Sequence, residues 1–498
     1  MSIELEMKLA AKTEQISDIK QWFSEKFGET IDWHRSELVN TYYDTESHKL
    51  RELKIGLRVR RADEKYIQSV KSEGRVVGGL YQRNESETEI PNANLDLAQV
   101  EDPYLQILLE EAQEEDGAFR ALFRTDFERQ FALIDYQGSS IEIAIDSGEI
   151  SHKGQLSPIC EVELELKDGD PIQMFDLSRQ LIEQFSLVLS AESKAERGYR
   201  LSAEHQVYLR RLDVVPLTAK SPAEGSFETI AHYGLAHWQH YIKLIKREPK
   251  VEYFLQLNRA LLYMQHMYSV FAPLIPRHSL SEVRADWREI TQNFSKVQTV
   301  AAQINWLENA KFYGFEYEPL AELEAQLEKK FQQESKDFVN YLATASYNLK
   351  LLHFSRWLYS KEWREDLKES AKNRLQKEIF PFAIKQLQHQ MLDITRQLKL
   401  KEELQDEDYL DYLPKLYRTL DIGLFFGSLF DSKKRVRFRQ NWVDLVAHIE
   451  LFKQLDFVRK SLASVDVTDE RLEGTEKDIL DALFELRTNA FEQNPYWN

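Results

Sequence analysis

Two segments of the chain alternate charged and apolar residues with a period of two, and this pattern constrains the fold most strongly. The first segment, Ile3 to Leu9, places Glu4, Glu6 and Lys8 on one side. The second, Glu161 to Leu166, places three glutamates on one side. Because successive side chains of a β-strand point to opposite faces, each segment predicts a strand with one charged and one apolar face.

Similar alternation recurs in other segments of the first 200 residues, with positive as well as negative charge. It is found in Leu57–Arg60, in Arg83 to Glu89 and in the run that ends at Asp146, while Lys71 and Lys194 lie on or beside apparent strands, as does Arg124. A single antiparallel strand of this kind commonly exposes its charged face to water. Four or more such strands instead favour a closed antiparallel sheet that gathers the charges inside.

The charges themselves indicate the chemistry of such an interior. Carboxylates side by side repel each other unless cations lie among them, and hard divalent ions such as Mg²⁺ take carboxylate and phosphate oxygens as ligands. Lysine and arginine form charge-assisted hydrogen bonds to phosphate oxygens. The pattern therefore predicts a β-barrel that binds metal ions and phosphates, which is the requirement of phosphoryl chemistry.

The formal net charge of −18 argues against general nucleic-acid binding. Residues 1–217 contain 26 Lys and Arg against 42 Asp and Glu, so they carry nearly all of the excess acid. Two divalent ions would offset about four negative charges locally. The acidity is therefore compatible with a site for a polyanion.

The single cysteine excludes an intramolecular disulfide, and no zinc-site spacing is present. We interpret Cys160 as a packed thiol, because it lies on the apolar face of its strand. The N-terminus lacks the features of a signal peptide, and no apolar run reaches about 18 residues. We therefore expect a soluble, cytoplasmic protein without a membrane or nucleic-acid partner.

The length of 498 residues favours two or three domains. Up to about Leu201 the strand pattern is interrupted by helical stretches at 16–27 and 174–188, and beyond Phe227 the apolar spacing is helical. The predicted class is α+β multidomain, with an antiparallel β-domain at 1–203, a linker at 204–224 and an all-α domain at 225–498. One arrangement that the sequence leaves open for the helical domain is a pair of four-helix bundles, split near 340–350. We expect breaks between helices at Pro249, Pro273, Pro276, Pro381 and Pro414.

Residues 1–201 resemble the CYTH family, the triphosphate tunnel metalloenzymes. The opening signature of that family matches Glu4, Glu6 and Lys8. The resemblance continues in order through Tyr42–Thr45, Leu57–Arg60, Lys71, Arg83 with Glu85, Phe123–Arg129, Asp146, Glu161–Glu165 and Lys194 with Arg197–Tyr199. It implies an eight-stranded antiparallel tunnel.

The resemblance also implies roles for individual residues. The residues that would grip a linear triphosphate are Lys8, Arg58, Arg60, Lys71, Arg83, Arg124 and Lys194. Those that would hold one or two Mg²⁺ or Mn²⁺ ions are Glu4, Glu6, Asp146, Glu161, Glu163 and Glu165. The expected catalytic set is Glu4, Glu6, Lys8, Glu163 and Glu165.

The predicted reaction is metal-dependent hydrolysis of inorganic tripolyphosphate to phosphate and pyrophosphate, by in-line attack of a water on the terminal phosphorus. Bacterial inorganic triphosphatases are the members that this domain combination resembles. Alternatives within the same tunnel are thiamine or nucleoside triphosphate hydrolysis and adenylate cyclisation. A further alternative is a polyphosphate-binding protein without turnover.

Residues 225–498 resemble a CHAD domain, a helical family whose members often bind polyphosphate through basic side chains. The segments Leu255–Arg259 and Arg418–Ile422 lack most of the expected basic residues, so polyphosphate binding there is left as an open alternative. We interpret the basic run Lys433–Arg439 as a solvated helix face or loop, with a phosphate contact as the alternative.

Overall fold

The computed structural model describes residues 2–28, 31–72, 74–77, 79–190, 192–202, 208–399, 404 and 406–497. The chain forms two compact units. The first contains Met1–Leu209 and Leu342–Ser360, and the second contains Arg210–Tyr341 and Lys361–Asn498. A segment from the C-terminal half of the sequence thus belongs to the first unit, which the sequence analysis did not anticipate.

The first unit is built on a large antiparallel sheet. Its strands are β1 (Ser2–Ala10), β2 (His34–Asp44), β3 (Gly56–Ala62), β4 (Lys65–Lys71), β5 (Arg75–Val77), β6 (Leu80–Ile90), β7 (Arg120–Tyr136), β8 (Ser139–His152), β9 (Gln155–Asp168) and β10 (Val188–Leu189). Eight of these described strands close into a barrel in the order β1, β9, β8, β7, β2, β3, β4, β6 and back to β1. The predicted eight-stranded antiparallel tunnel is confirmed.

Helices cover the outer, apolar face of this barrel. They are α1 (Ile16–Phe27), α2 (Lys49–Glu52), α3 (Pro103–Asp116) and α4 (Ile172–Phe185), whereas α5 (Lys194–Ser202) packs against inward-facing side chains of the barrel. Leu105 and Leu109 of α3 pack with Leu57 and Val70, the outward residues of β3 and β4. Burial of these side chains, each contributing about 1.5–3 kcal/mol, fixes which face of each strand is the outer one.

The helical stretch expected at 16–27 is present as α1, and the one expected at 174–188 corresponds to α4, which ends at Phe185 before Val188 begins β10. Asp102 caps α3 by accepting hydrogen bonds from the backbone N–H groups of Tyr104 and Leu105. Gly117 ends α3 with a positive φ of 87°, which glycine adopts without steric cost.

The remaining helices are α6 (Ala223–Arg247), α7 (Val251–Phe271), α8 (Ser281–Phe312), α9 (Glu318–Leu342), α10 (Ala345–Ser360), α11 (Glu369–Leu375), α12 (Ile379–Ile394), α13 (Asp406–Phe426), α14 (Ser432–Ala463) and α15 (Glu470–Glu492). Of these, α10 lies in the first unit and packs on α4. The others form the second unit around an aromatic core, in which Trp238 meets Trp287 edge-on at 5.3 Å. The predicted helical domain after the barrel is confirmed.

Two local expectations differ from the structure. Pro414 lies inside α13 rather than at a break, because the buried Leu413 and Leu416 anchor that helix through tertiary packing. The irregular segment before α6 is not a free linker, since Val215 is fully buried and its N–H donates to the carbonyl of Leu424 at 3.0 Å. No helix among the described residues combines the length and apolar character needed to cross a membrane.

Candidate active site

The strand register brings the charged faces of the barrel together on its inside. Lys8 of β1 lies opposite Glu163 of β9, and Asp146 of β8 lies opposite Glu161. Directly opposed residues of an antiparallel pair point to the same face. The alternation seen in the sequence therefore becomes a shared, charged interior.

Three carboxylates form the centre of this interior. Asp146, Glu161 and Glu163 are 0%, 2% and 6% exposed, and one oxygen of each lies within 4.8 Å of the others. Lys194 Nζ donates to Asp146 Oδ2 at 2.6 Å, to Glu163 Oε1 at 3.0 Å and to Glu161. Burial alone would raise the pKa of Glu163, but the charges of Lys194, Lys8 and Arg129 hold it well below its usual value.

Two more cations complete this acidic cluster. Lys8 Nζ pairs with Glu6 at 2.9 Å and with Glu163. Arg129 donates from Nε and Nη2 to the two oxygens of Asp146 at 2.8 and 2.7 Å, and it also pairs with Glu163. Such a bidentate pair fixes the orientation of the carboxylate. The three cations thus offset three of the four negative charges of Glu6, Asp146, Glu161 and Glu163.

The opposite wall of the barrel is basic. In a ring of eight strands, those four places apart face each other, so β3 faces β9 and β4 faces β8. Arg58 of β3 bonds Ser69 at 3.2 Å and pairs with Glu85 and Glu87, each at 3.3 Å. Lys71 of β4 pairs with Glu4 at 2.7 Å and with Glu85 at 3.1 Å.

Arg60 and Arg83 carry charge without a carboxylate partner among the described residues. Arg60 Nε donates to the neutral amide oxygen of Asn40 at 2.9 Å. Burial, together with the positive charges of Arg58 and Arg129, lowers the pKa of Arg60 to about 10. Arg83 lies opposite Glu4 in register and stacks over the Tyr81 ring at 4.6 Å. This wall therefore has a deficit of negative charge that an anion would satisfy.

The predicted metal-ligand set is only partly brought together. Asp146, Glu161 and Glu163 form one cluster, and Glu6 joins it through Lys8. Glu4 instead lies with Lys71, and Glu165 pairs with Lys167 at 2.7 Å in a half-buried position. The three buried carboxylates offer closely spaced hard oxygen donors, and this donor set fits a divalent cation such as Mg²⁺ or Mn²⁺.

The expectation that Arg124 faces the interior is corrected. The side chain of Arg124 is 54% exposed and pairs with Asp126 at 2.8 Å. It alternates with Phe123, Thr125 and Phe127, which point inward. Arg124 therefore lies on the outer face of β7.

Arg129 was not among the predicted site residues, although it lies in the segment that carried the family resemblance. Its signal in the sequence was the even spacing from Phe123 and Phe127, which puts all three on one face of β7. In a barrel with a charged interior, apolar side chains are expected on the outer face. The spacing therefore predicted that Arg129 faces outward together with the two phenylalanines.

Helix α5 places Lys194 among the acids. Tyr42 stacks on Phe123 with ring centroids 4.6 Å apart, and Phe123 meets Tyr199 of α5 at 5.4 Å. Tyr199 Oη donates to the buried Asp44 at 2.9 Å. This apolar cluster fills the interior beside Lys194 and excludes water from that part of the barrel. Outside the barrel, Cys160 is half-buried, and burial raises the pKa of its thiol, as suits a packed residue.

The closed barrel with a charged interior defines the class of protein. Residues 2–199 match the CYTH domain and residues 229–463 match the CHAD domain. The chain therefore belongs to the proteins that carry a CYTH domain followed by a CHAD domain. Over 205 residues it is 36% identical to an inorganic triphosphatase of Haemophilus influenzae, a match that covers 40% of this chain and 55% of that relative.

Solved structures with similar folds exist for both parts. One is a protein from Hippeastrum, described as a candidate adenylyl cyclase with a dominant triphosphatase activity (18% identity, 41% of this chain, 100% of that chain, TM-score 0.30). Another is the CHAD domain from Ricinus communis (14% identity, 56% of this chain, 96% of that chain, TM-score 0.44).

Proposed function

We propose that the barrel hydrolyses a linear triphosphate, with inorganic tripolyphosphate as its substrate and phosphate and pyrophosphate as products. The observation that carries the proposal is the half-buried guanidinium of Arg60, which donates a hydrogen bond to a neutral amide on a wall that faces a buried carboxylate cluster. A half-buried cation without an ion-pair partner loses part of its hydration, and a bound polyanion offsets that cost.

The two walls suit the two needs of phosphoryl transfer. Arg58, Arg60, Lys71 and Arg83 would bind phosphate oxygens, and Lys8, Arg129 and Lys194 would neutralise charge near the acids. Arg58 and Lys71 are held in place by Glu85, which accepts from both. Their positions are therefore fixed before a substrate binds, and little reorganisation is needed.

The carboxylates Asp146, Glu161 and Glu163 would hold Mg²⁺ or Mn²⁺, with Glu6 beside them. When bound, such an ion supplies Lewis-acid stabilisation of phosphoryl oxygens and a more acidic water. Lys194 Nζ lies among the same oxygens, so it must share or yield these contacts. The apolar cluster around Phe123 restricts the water that reaches this end of the interior.

The similarity to an inorganic triphosphatase supports tripolyphosphate over the alternatives of thiamine or nucleoside triphosphate hydrolysis and adenylate cyclisation. The alternative of polyphosphate binding at the helical unit depends on its basic side chains. Two of these, Arg259 and His266, both contact the buried Asp421, at 2.6 Å each. The charge of Arg259 is thereby directed at an internal acid, and the ring of His266 is held by the same carboxylate. A cytoplasmic location stays a prediction that the single cysteine favours.

The test is phosphate release by the full chain from tripolyphosphate, thiamine triphosphate, ATP and pyrophosphate, each with Mg²⁺, Mn²⁺ or EDTA. We expect metal-dependent release that is fastest with tripolyphosphate and abolished by EDTA. Preference for thiamine triphosphate or ATP would shift the proposal to those substrates. Tight tripolyphosphate binding without release on any substrate would replace hydrolysis by the binding function.

A further inference from the structure

The ring of Tyr81 lies beneath two of the cations that the proposed reaction uses. Tyr81 of β6 is fully buried and lies opposite Glu6 in register, so its side chain points into the barrel. Lys8 Nζ lies 5.6 Å from the centre of this ring, and Arg83 Cζ lies 4.6 Å from it. Both distances are in the range of a cation–π interaction, which extends to about 6 Å. One aromatic ring therefore supports the charged ends of two side chains.

The hydroxyl of Tyr81 is held by a segment that follows the short strand β10. Tyr81 Oη donates to the backbone carbonyl of Ser190 at 3.2 Å. Burial, and then the charge of Glu196, raise the pKa of Tyr81 well above its usual value, so the hydroxyl keeps the proton that it donates. The ring is therefore fixed at both ends, by the backbone of β6 and by the carbonyl of Ser190.

The segment around β10 also contacts the backbone beside both cations. The N–H of Ser190 donates to the carbonyl of Lys8 at 2.9 Å. A Cβ atom placed on Gly79, the residue before β6, would lie 2.9 Å from the side chain of Leu189, so these two residues are in close contact. The carbonyl of Gly79 accepts from the N–H of Lys8 at 3.3 Å. A shift of β10 would therefore displace Lys8 and the start of β6 together.

Helix α10 holds β10 in place. Strand β10 has only two residues, so its own pairing provides few hydrogen bonds. Asn348 of α10 is 1% exposed, and its Oδ1 accepts from the N–H of Leu189 at 3.0 Å. Its Nδ2 donates to the carbonyls of Leu342 and Thr344 at 3.2 and 2.8 Å, which fixes the orientation of the amide. The Asn348 side chain therefore ties β10 to the start of α10.

We propose that Tyr81 and Asn348 are positioning residues of the barrel, which act on substrate binding through other side chains. Asn348 holds β10, and the segment after β10 holds the hydroxyl of Tyr81. The ring of Tyr81 keeps Lys8 and Arg83 in place before the substrate arrives, so that little ordering is needed on binding. The inference rests on the proposed function, because the two cations have this role only if the barrel binds a triphosphate.

The experiment compares the steady-state kinetics of the full chain and of Tyr81→Phe, with the triphosphate and the metal ion that the wild type turns over fastest. The substitution keeps the ring and removes the hydroxyl. We expect KM to rise about fivefold, the effect of losing one neutral hydrogen bond, and kcat to change less than about twofold. A purely structural role would reduce the folded fraction, which lowers the apparent kcat and leaves KM unchanged.

Tyr241→Phe is the matched control. Tyr241 is as fully buried as Tyr81, and its Oη also donates to a backbone carbonyl, that of Arg210, at 2.6 Å. It belongs to the second unit. The folded variant should therefore keep the KM and kcat of the wild type, and circular dichroism verifies the folding of every variant.

Asn348→Ala tests the more distant part of the path. We expect it to raise KM about two- to fivefold, because β10 loses its hydrogen-bond acceptor on α10. In the double variant with Tyr81→Phe, KM should rise by less than the product of the two single effects, since both substitutions release the same ring. Ser346→Ala, at an exposed position of α10, should leave KM unchanged.

An unchanged KM in folded Tyr81→Phe overturns the proposal, as does a loss that is confined to kcat. An equal rise of KM in Tyr241→Phe also overturns it, because the effect would then be independent of the barrel. A double variant whose KM equals the product of the single effects overturns the role of Asn348. Absence of wild-type turnover on every triphosphate contradicts the proposed function as well, whereas normal wild-type kinetics with unaltered variants contradict this inference alone.

Discussion

Arg60 and Arg124 show how strongly the surroundings of one residue type decide its role. Both lie on strands of the same barrel, yet Arg60 is half-buried beside Asn40 while Arg124 is exposed beside Asp126. We expect Arg60→Gln to lower kcat/KM for the triphosphate about 10–150-fold, as for loss of roughly 1.5–3 kcal/mol of charged contact. Steady-state kinetics measure this change.

The matched control is Arg124→Gln, which should alter kcat/KM less than about twofold because surface ion pairs contribute about 0–1 kcal/mol. If Arg124→Gln had the larger effect, the barrel interior would not be the substrate site.

Glu163 is the acid on which Lys8, Arg129 and Lys194 all converge. Replacing it by glutamine leaves the buried Lys8 and Lys194 and the half-buried Arg129 with one carboxylate fewer. We therefore expect a loss of about 3–5 kcal/mol of stability and at least a hundredfold loss of turnover. Urea unfolding and phosphate release are the two measurements. Glu149→Gln, at an exposed position of β8, should change neither; full turnover by a folded Glu163→Gln would contradict the assignment.

His237 of α6 is fully buried and gives a pH dependence to the second unit. Burial, and then the charges of Arg210 and His240, lower its pKa to about 3, against about 6.5 in an unfolded chain. Below pH 6.5 the unfolded state therefore binds a proton that the folded state refuses. Stability should fall by about 2 kcal/mol between pH 7 and pH 5.

Urea unfolding at both pH values, followed by far-UV circular dichroism, measures this loss. The difference in unfolding free energy between pH 7 and pH 5 should shrink by about that amount in His237→Gln. It should persist in His278→Gln, whose side chain is exposed. An equal pH dependence in all three proteins would show that other groups cause it.

At the scale of elements, the alternation of residues in the sequence was enough to predict the strands of the barrel and most of its inward side chains. The prediction of inward side chains was wrong on β7. There Phe123 and Phe127 face inward, and Arg129 lies on the same face because it follows them at even spacing, while Arg124 faces outward. A period of two divides a strand into two faces but does not say which one is inside. That choice depends on the packing of α5, which is a tertiary contact.

Helix α5 reaches the barrel interior through a close contact at Gly198. A methyl group there would overlap the ring of Phe123. We expect Gly198→Ala to destabilise the first unit by about 1–3 kcal/mol, as other overpacked sites do, and to reduce turnover by displacing Lys194 of the same helix. Thermal unfolding and phosphate release measure both effects.

Gly56→Ala provides the comparison, since its added methyl would meet Lys71 only at 3.9–4.0 Å, an ordinary contact distance. Equal effects of the two substitutions would mean that the fit of α5 against Phe123 does not position Lys194.

At the scale of the whole molecule, the first unit is completed by a helix that is distant in sequence. Asn348 of α10 accepts a hydrogen bond at its Oδ1 from the backbone N–H of Leu189 at 3.0 Å, and Tyr359 packs on Phe175 of α4. The sequence predicted helical structure here, within the domain at 225–498, but not the partner of this helix, because an apolar stripe indicates that a face is buried and not what covers it. The predicted boundary at residue 203 leaves this helix out.

This arrangement predicts that residues 1–203 alone are less stable than the same unit in the full chain. Without α10 they lose the apolar cover of α4 and the partner of Leu189. In the full chain, Asn348→Ala should cost about 1–3 kcal/mol, because it leaves the buried N–H of Leu189 without its acceptor, whereas Ser346→Ala at an exposed position of the same helix should cost little. The loss of tripolyphosphate turnover on heating measures the stability of both variants. A fragment of residues 1–203 as stable and active as the full chain would mean that α10 contributes nothing to the barrel, and the CYTH domain would then be complete by itself.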